Sequence, residues 1–96
     1  MNIRDCAIEC HEISIKHGFW KVSQSIPEKL CLIHSEISEA LEDYREDKMG
    51  HFGEELADAT IRLFDLAVHE GIDIEDEIRR KMNKNIDRPY LHGKKL

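Results

Sequence analysis

The sequence predicts an all-α chain of about four helices, an antiparallel helical bundle completed by oligomerisation. Three observations carry this. Pro and Gly are sparse, two and five respectively among 96 residues. No segment alternates apolar and polar residues with period two, and apolar residues instead recur at three- and four-residue spacing. A chain of this length has room for one core, so residues 1–96 read as one domain ending in a basic, irregular tail over about 86–96.

The first helix is predicted over about Asn2–His17, where Ile3, Cys6, Ala7, Cys10 and Ile13 form a stripe and Gly18 supplies the stop. The loop that follows carries Phe19 and the only tryptophan, Trp20. Such a pair either plugs a core or stacks on a planar ligand. Helix two starts near Ser25, where Ser25 and Glu28 fit a capping box and Pro27 suits the first turn, and runs to about Asp47. Its apolar face is Leu30, Ile33, Ile37, Ala40, Leu41 and Tyr44. Asp47 to Gly53 reads as the turn into helix three, His51–Glu70, which Gly71 closes. Asp73 caps helix four, with Glu75, Asp76 and Glu77 in the first turn, where the helix dipole favours acids, and Arg79, Arg80, Lys81 and Lys84 further on.

Composition excludes several classes. The formal charge is −6 with 35% charged residues, and no basic face is broad enough to track duplex nucleic acid. No apolar run is long enough to span a membrane and no secretory apolar region follows Met1. Three cysteines without a CxxC pair argue against a disulfide framework and place the protein in a reducing cytoplasm. Cys6, Cys10 and His11 read either as small helix-packing residues or as a zinc site.

Helix three is the unusual element. Around its axis Leu56, Ala57, Ala59, Ile61, Leu63, Phe64, Leu66, Ala67 and Val68 cover most of the circumference. Glu55, Asp58, Arg62, Asp65 and His69 share the remaining narrow arc. A helix so widely apolar is expected to be mostly buried, and its acids then need a cation or metal. Glu36-x-x-Glu39 on helix two adds a second acidic pair, fifteen residues before Glu55-x-x-Asp58. A short connection makes the two helices an antiparallel hairpin, with the pairs near its loop end but not strictly level. Four carboxylates suit Mg²⁺ or Mn²⁺, and such ions would hold the oxygens of a phosphate ester or anhydride. Arg62 is expected to brace Asp58 or Asp65, and Asp65 to stand behind the ligands.

The pattern E-x-x-E, fifteen residues, E-x-x-D resembles the signature of the MazG-like, all-α nucleoside triphosphate pyrophosphohydrolases. HSEISEALEDYRED and FGEELADATIRLFDLAVHEGIDI are similar to the metal-binding helices of small MazG-like proteins, and KMNKNIDRPYLHGKKL resembles the tail of that group. The resemblance spans about Pro27–Lys95. It implies cleavage between the α and β phosphates of an NTP or dNTP, giving a monophosphate and pyrophosphate. It also implies Mg²⁺ held by Glu36, Glu39, Glu55 and Asp58, and contacts from Lys81, Asn85 and Arg88 to the nucleotide, with Trp20 a candidate base-stacking residue. Glu36 or Glu39 would act as the base, and the chain would form a homodimer or homotetramer. Phosphoribosyl-ATP and dUTP- or dCTP-type hydrolysis are the alternatives within that superfamily. A non-catalytic helical interaction protein is the alternative outside it.

Overall fold

In the computed structural model, which describes residues 2–22 and 25–95, the chain folds into four helices: α1 (Ile3–Lys16), α2 (Ile26–Arg45), α3 (Met49–His69) and α4 (Ile74–Ile86). There is no strand among the described residues, and none of their helices is long and apolar enough to cross a membrane. The starts follow local chemistry. Asn2 accepts from the Asp5 N–H at 2.8 Å, Ser25 and Glu28 form the reciprocal capping box, and Asp73 accepts from the Asp76 N–H at 3.2 Å. Gly18 and Gly71 take positive φ (83° and 72°) just beyond α1 and α3, which lets the chain reverse without a Cβ clash.

The α2–α3 turn is tighter than its sequence suggests. α3 begins at Met49, so Gly50 and Gly53 lie inside the helix rather than in the connection. The left-handed residue is Asp47, φ 59°, a residue type that tolerates this region because its short polar side chain bonds locally. Glu39 and Glu55 thus stand eight residues either side of Asp47, and Glu36 and Asp58 eleven. The two acidic pairs face one another in register, closer to level than the expected longer turn would place them.

α3 is the hub, packing against α2, α1 and α4. Its small residues Ala59 and Ala67 are buried, as are Ala7 of α1 and Ile33 and Ala40 of α2, which lets the backbones approach. The rest of α3 is wetter than its all-round apolar character predicts: Leu56, Ile61 and Leu63 are each nearly half exposed. The reason is geometric, because one chain has too few elements to cover a helix on every side. The radius of gyration, 15.7 Å, exceeds the roughly 12.5 Å of a compact chain of this length.

A charged latch ties the first turn of α1 to the first turn of α4. The Glu75 side chain, only 10% exposed, accepts from the Arg4 backbone N–H at 3.1 Å and from its guanidinium at 3.0 Å. Asp73 takes the Arg4 Nε at 2.9 Å. Glu75 thereby satisfies an otherwise unpaired donor in the first turn of α1 from a different helix. Replacing Glu75 by Ala is expected to lower stability by about 2 kcal/mol, read as a shifted urea midpoint with an unchanged slope. Glu75→Gln is expected to lose less.

Candidate functional site

Between α1 and α2, floored by α3, lies a cavity of about 460 Å³. The 19–20 aromatic segment closes one end and Glu36, Asp58 and Arg62 line the other. Apolar walls come from Ile13, Leu32, Ile33, Ile61 and Leu66. A concave, largely apolar site with a few converging polar groups is the usual form of a small-molecule pocket.

At its polar end the level hairpin brings carboxylates together. Glu36, Glu39 and Glu55 each offer an oxygen within 4.8 Å of the others. Glu36 belongs both to this trio and to the cavity wall. Asp58, one turn beyond Glu55, lines the cavity but stands outside the trio. The Glu55 Oε2 atom is buried and has no hydrogen-bond partner. Burial, and then the neighbouring Glu39 and Glu36 carboxyls, push the Glu55 carboxyl up to about 7. An orphaned carboxylate oxygen beside two more carboxylates is a donor set suited to a hard divalent cation, so the residues present fit Mg²⁺ or Mn²⁺.

Arg62 does not brace Asp58 or Asp65. Its Nε donates to Glu36 Oε1 at 2.9 Å, across the helix pair. Asp65 is engaged elsewhere: one oxygen accepts from the Trp20 indole N–H at 2.9 Å and meets His11 Nδ1 at 2.7 Å. Its side chain is 14% exposed, so these two partners replace water. Asp65 therefore fixes the aromatic end of the cavity and does not stand behind the acidic cluster, because its contacts are to His11 and Trp20.

Trp20 is held on every side. His69 stacks on it at 3.7 Å with ring planes 5° apart, and the Lys29 ammonium sits 4.1 Å from the ring centroid. Both cannot occupy one face, so the ring is sandwiched. A planar ligand would have to displace Lys29, whose long stem allows it. Phe19, by contrast, is well exposed. Spacing along the chain gives no sign of Lys29 or of the His11–Asp65 pair, because their partners lie on other helices.

Lys81, Asn85 and Arg88 are not brought to the cavity within one chain. Lys81 and Arg88 are exposed, and none of the three lines the cavity. Arg88 contacts His92 at 3.2 Å, and the Asn85 Oδ1 atom is buried without a partner. The cysteines are free. Cys6, Cys10 and His11 form no metal-ligating group among the described residues, since His11 turns its Nδ1 to Asp65. Burial pushes the Cys10 thiol up to about 11, with Cys6 adding to the effect, which makes it an unreactive packing group.

Compared with known proteins, the chain matches no protein-family model, no curated protein and no solved structure.

The raised Glu55 carboxyl gives a pH dependence of defined sign. Its ordinary value is 4.5 and its folded value about 7, so the folded chain holds this proton more tightly than the unfolded one. The stabilisation is complete below 4.5 and is lost as pH rises through about 7. The Tm of the metal-free protein is expected to fall between pH 5 and 8. Glu55→Gln should flatten that slope, and Mg²⁺ should oppose it at the alkaline end. A slope unchanged in Glu55→Gln would assign it to another group.

Proposed function

We propose that the chain is a divalent-metal-dependent nucleoside triphosphate pyrophosphohydrolase, converting an NTP or dNTP to its monophosphate and pyrophosphate. The observation that carries this is the convergence of Glu36, Glu39 and Glu55, one of them with an orphaned buried oxygen, at the mouth of an apolar cavity. The resemblance of these acidic pairs to those of MazG-like proteins supplies the reaction class.

Mg²⁺ or Mn²⁺ held by the three glutamates, with Asp58 beside them, would offset triphosphate charge and acidify a water. The chain's own residues supply the rest. Glu39, exposed at the edge of the trio, is placed to accept the proton of the attacking water, whereas the Glu36 side chain is only 13% exposed. The apolar walls exclude competing water, and Trp20, Phe19 and Lys29 bound the end where a base would lie. Cleavage at the α-phosphorus then releases pyrophosphate towards cationic groups.

The assembly follows from what one chain leaves wet. Leu30, Ile37 and Tyr44 on α2, and Met49, Leu56 and Leu63 on α3, recur every seven residues and are exposed. By helical periodicity the α3 stripe lies away from that helix's cavity-lining residues, and the α2 stripe lies about a quarter turn from its own, leaving an exposed apolar flank. A second copy meeting this flank would close a four-helix core, consistent with a homodimer or homotetramer. Lys81, Asn85 and Arg88, distant from the cavity within one chain, are placed in the reading as nucleotide contacts in the assembled protein. A cytoplasmic setting is consistent with three unpaired cysteines.

Pyrophosphate release from a panel of NTPs and dNTPs, with Mg²⁺ and with EDTA, tests the reaction. Metal-dependent pyrophosphate with a matching monophosphate is expected. Glu39→Ala and Asp58→Ala should each lower kcat by at least about a hundredfold with helicity retained. Orthophosphate as the product, or full turnover in either variant, would refute the reading. In sedimentation, Ile37→Asp together with Leu63→Asp should convert an oligomer to a monomer. A wild-type monomer would refute the assembly.

A further inference from the structure

We infer that Arg62 is the resident counter-cation of the acidic cluster: it holds Glu36 while no divalent ion is bound, and transfers to the substrate's phosphate chain when the ion takes its place. This rests on the reading of the glutamates as a metal site, and it assigns a substrate-binding role to a side chain of the opposite charge.

Glu36 carries the argument because it sits at the junction. It is one of the three converging carboxylates and also lines the cavity, and its side chain is 13% exposed. A carboxylate that dry needs a partner, and Arg62 supplies it through Nε at 2.9 Å. The arginine is much freer than the glutamate, with 40% of its side chain exposed. Among the described residues, its guanidinium makes no other hydrogen bond or ion pair. The terminal nitrogens of the fork are unused, in a side chain that lines the cavity.

The surroundings restrict where it can go. Asp65, one turn ahead, gives one oxygen to both His11 and Trp20, and Arg62 makes no contact with it. Asp58, one turn back, lines the same cavity beside the trio. A divalent ion on Glu36 competes with the guanidinium for the carboxylate's charge and lone pairs. Once displaced, the guanidinium is a planar fork of donors beside the metal, a geometry that suits phosphate oxygens. Without it, Glu36 would be unpaired whenever the site lacked an ion, and the mutual repulsion of the glutamates would be greater. The device keeps the ion-free site tolerable and delivers one more cation to the triphosphate only when metal is present.

The test uses the full chain and Mn²⁺ alone, followed by free-ion electron paramagnetic resonance at low ionic strength. Removing a nearby positive charge should tighten Mn²⁺ binding in Arg62→Gln, on the order of tenfold relative to wild type, while Glu36→Gln weakens it. In turnover with nucleotide, Arg62→Gln should raise KM, and Arg62→Lys should recover much of the KM change because it restores charge without the fork. If Arg62→Gln instead binds Mn²⁺ more weakly, in step with Glu36→Gln, Arg62 is a strut that positions Glu36 and the inference is overturned. Tighter Mn²⁺ binding with an unchanged KM would overturn the transfer to phosphate. If the wild type binds no Mn²⁺, the metal-site reading fails and the inference falls with it. Circular dichroism of each variant confirms that the comparison is between folded chains.

Discussion

The antiparallel pairing of α2 and α3 about Asp47 is the constraint on which the rest depends. Because the left-handed residue sits at Asp47 and α3 starts at Met49, the acidic pairs of α2 and α3 lie at equal distances along the chain from the turn. Side chains on facing helices then do what side chains on one helix cannot, and three carboxylates converge from two elements. Small residues make this approach possible, since Ala40 and Ala59 are buried near the acids. The electrostatic consequence is immediate. The glutamates repel, one keeps its proton to about neutrality, and another recruits Arg62.

The aromatic end of the cavity is built by different chemistry. Asp65 uses one oxygen to hold an indole and an imidazole from separate segments. Trp20 in turn is fixed by a stacked His69 and a facing Lys29. A loop tryptophan would otherwise have many rotamers, and this network leaves it one. The cavity therefore has a rigid far wall and an adjustable cationic rim, with Lys29 at one end and Arg62 at the other.

The same hairpin leaves a problem on its other flank. Stripes of Leu, Ile, Met and Tyr run seven residues apart along both helices and meet water. The acidic trio and these exposed stripes are thus carried by the same two helices. The Arg4–Glu75 latch joins α1 to α4, and both helices pack on α3.

Much of this was written in local sequence. Helix number, the caps at Ser25 and Asp73, the stops at Gly18 and Gly71, and the two acidic pairs follow from short-range rules, because caps, propensity and helical periodicity act within a few residues. Asp58, Arg62 and Asp65 of the narrow polar arc of α3 do line the cavity. Other features were decided only in three dimensions. Whether Arg62 met Asp58, Asp65 or Glu36 depended on how α2 lay across α3. Whether Asp65 was free depended on where α1 and the Trp20 loop packed. That α3 would stay half wet, and that Lys81, Asn85 and Arg88 would lie away from the cavity, depended on how many neighbours one chain can supply. The sequence by itself determined which residues were available in each helix and on which face. Tertiary structure decided which of them shared a dielectric, because contact between helices is set by register and crossing rather than by spacing along the chain.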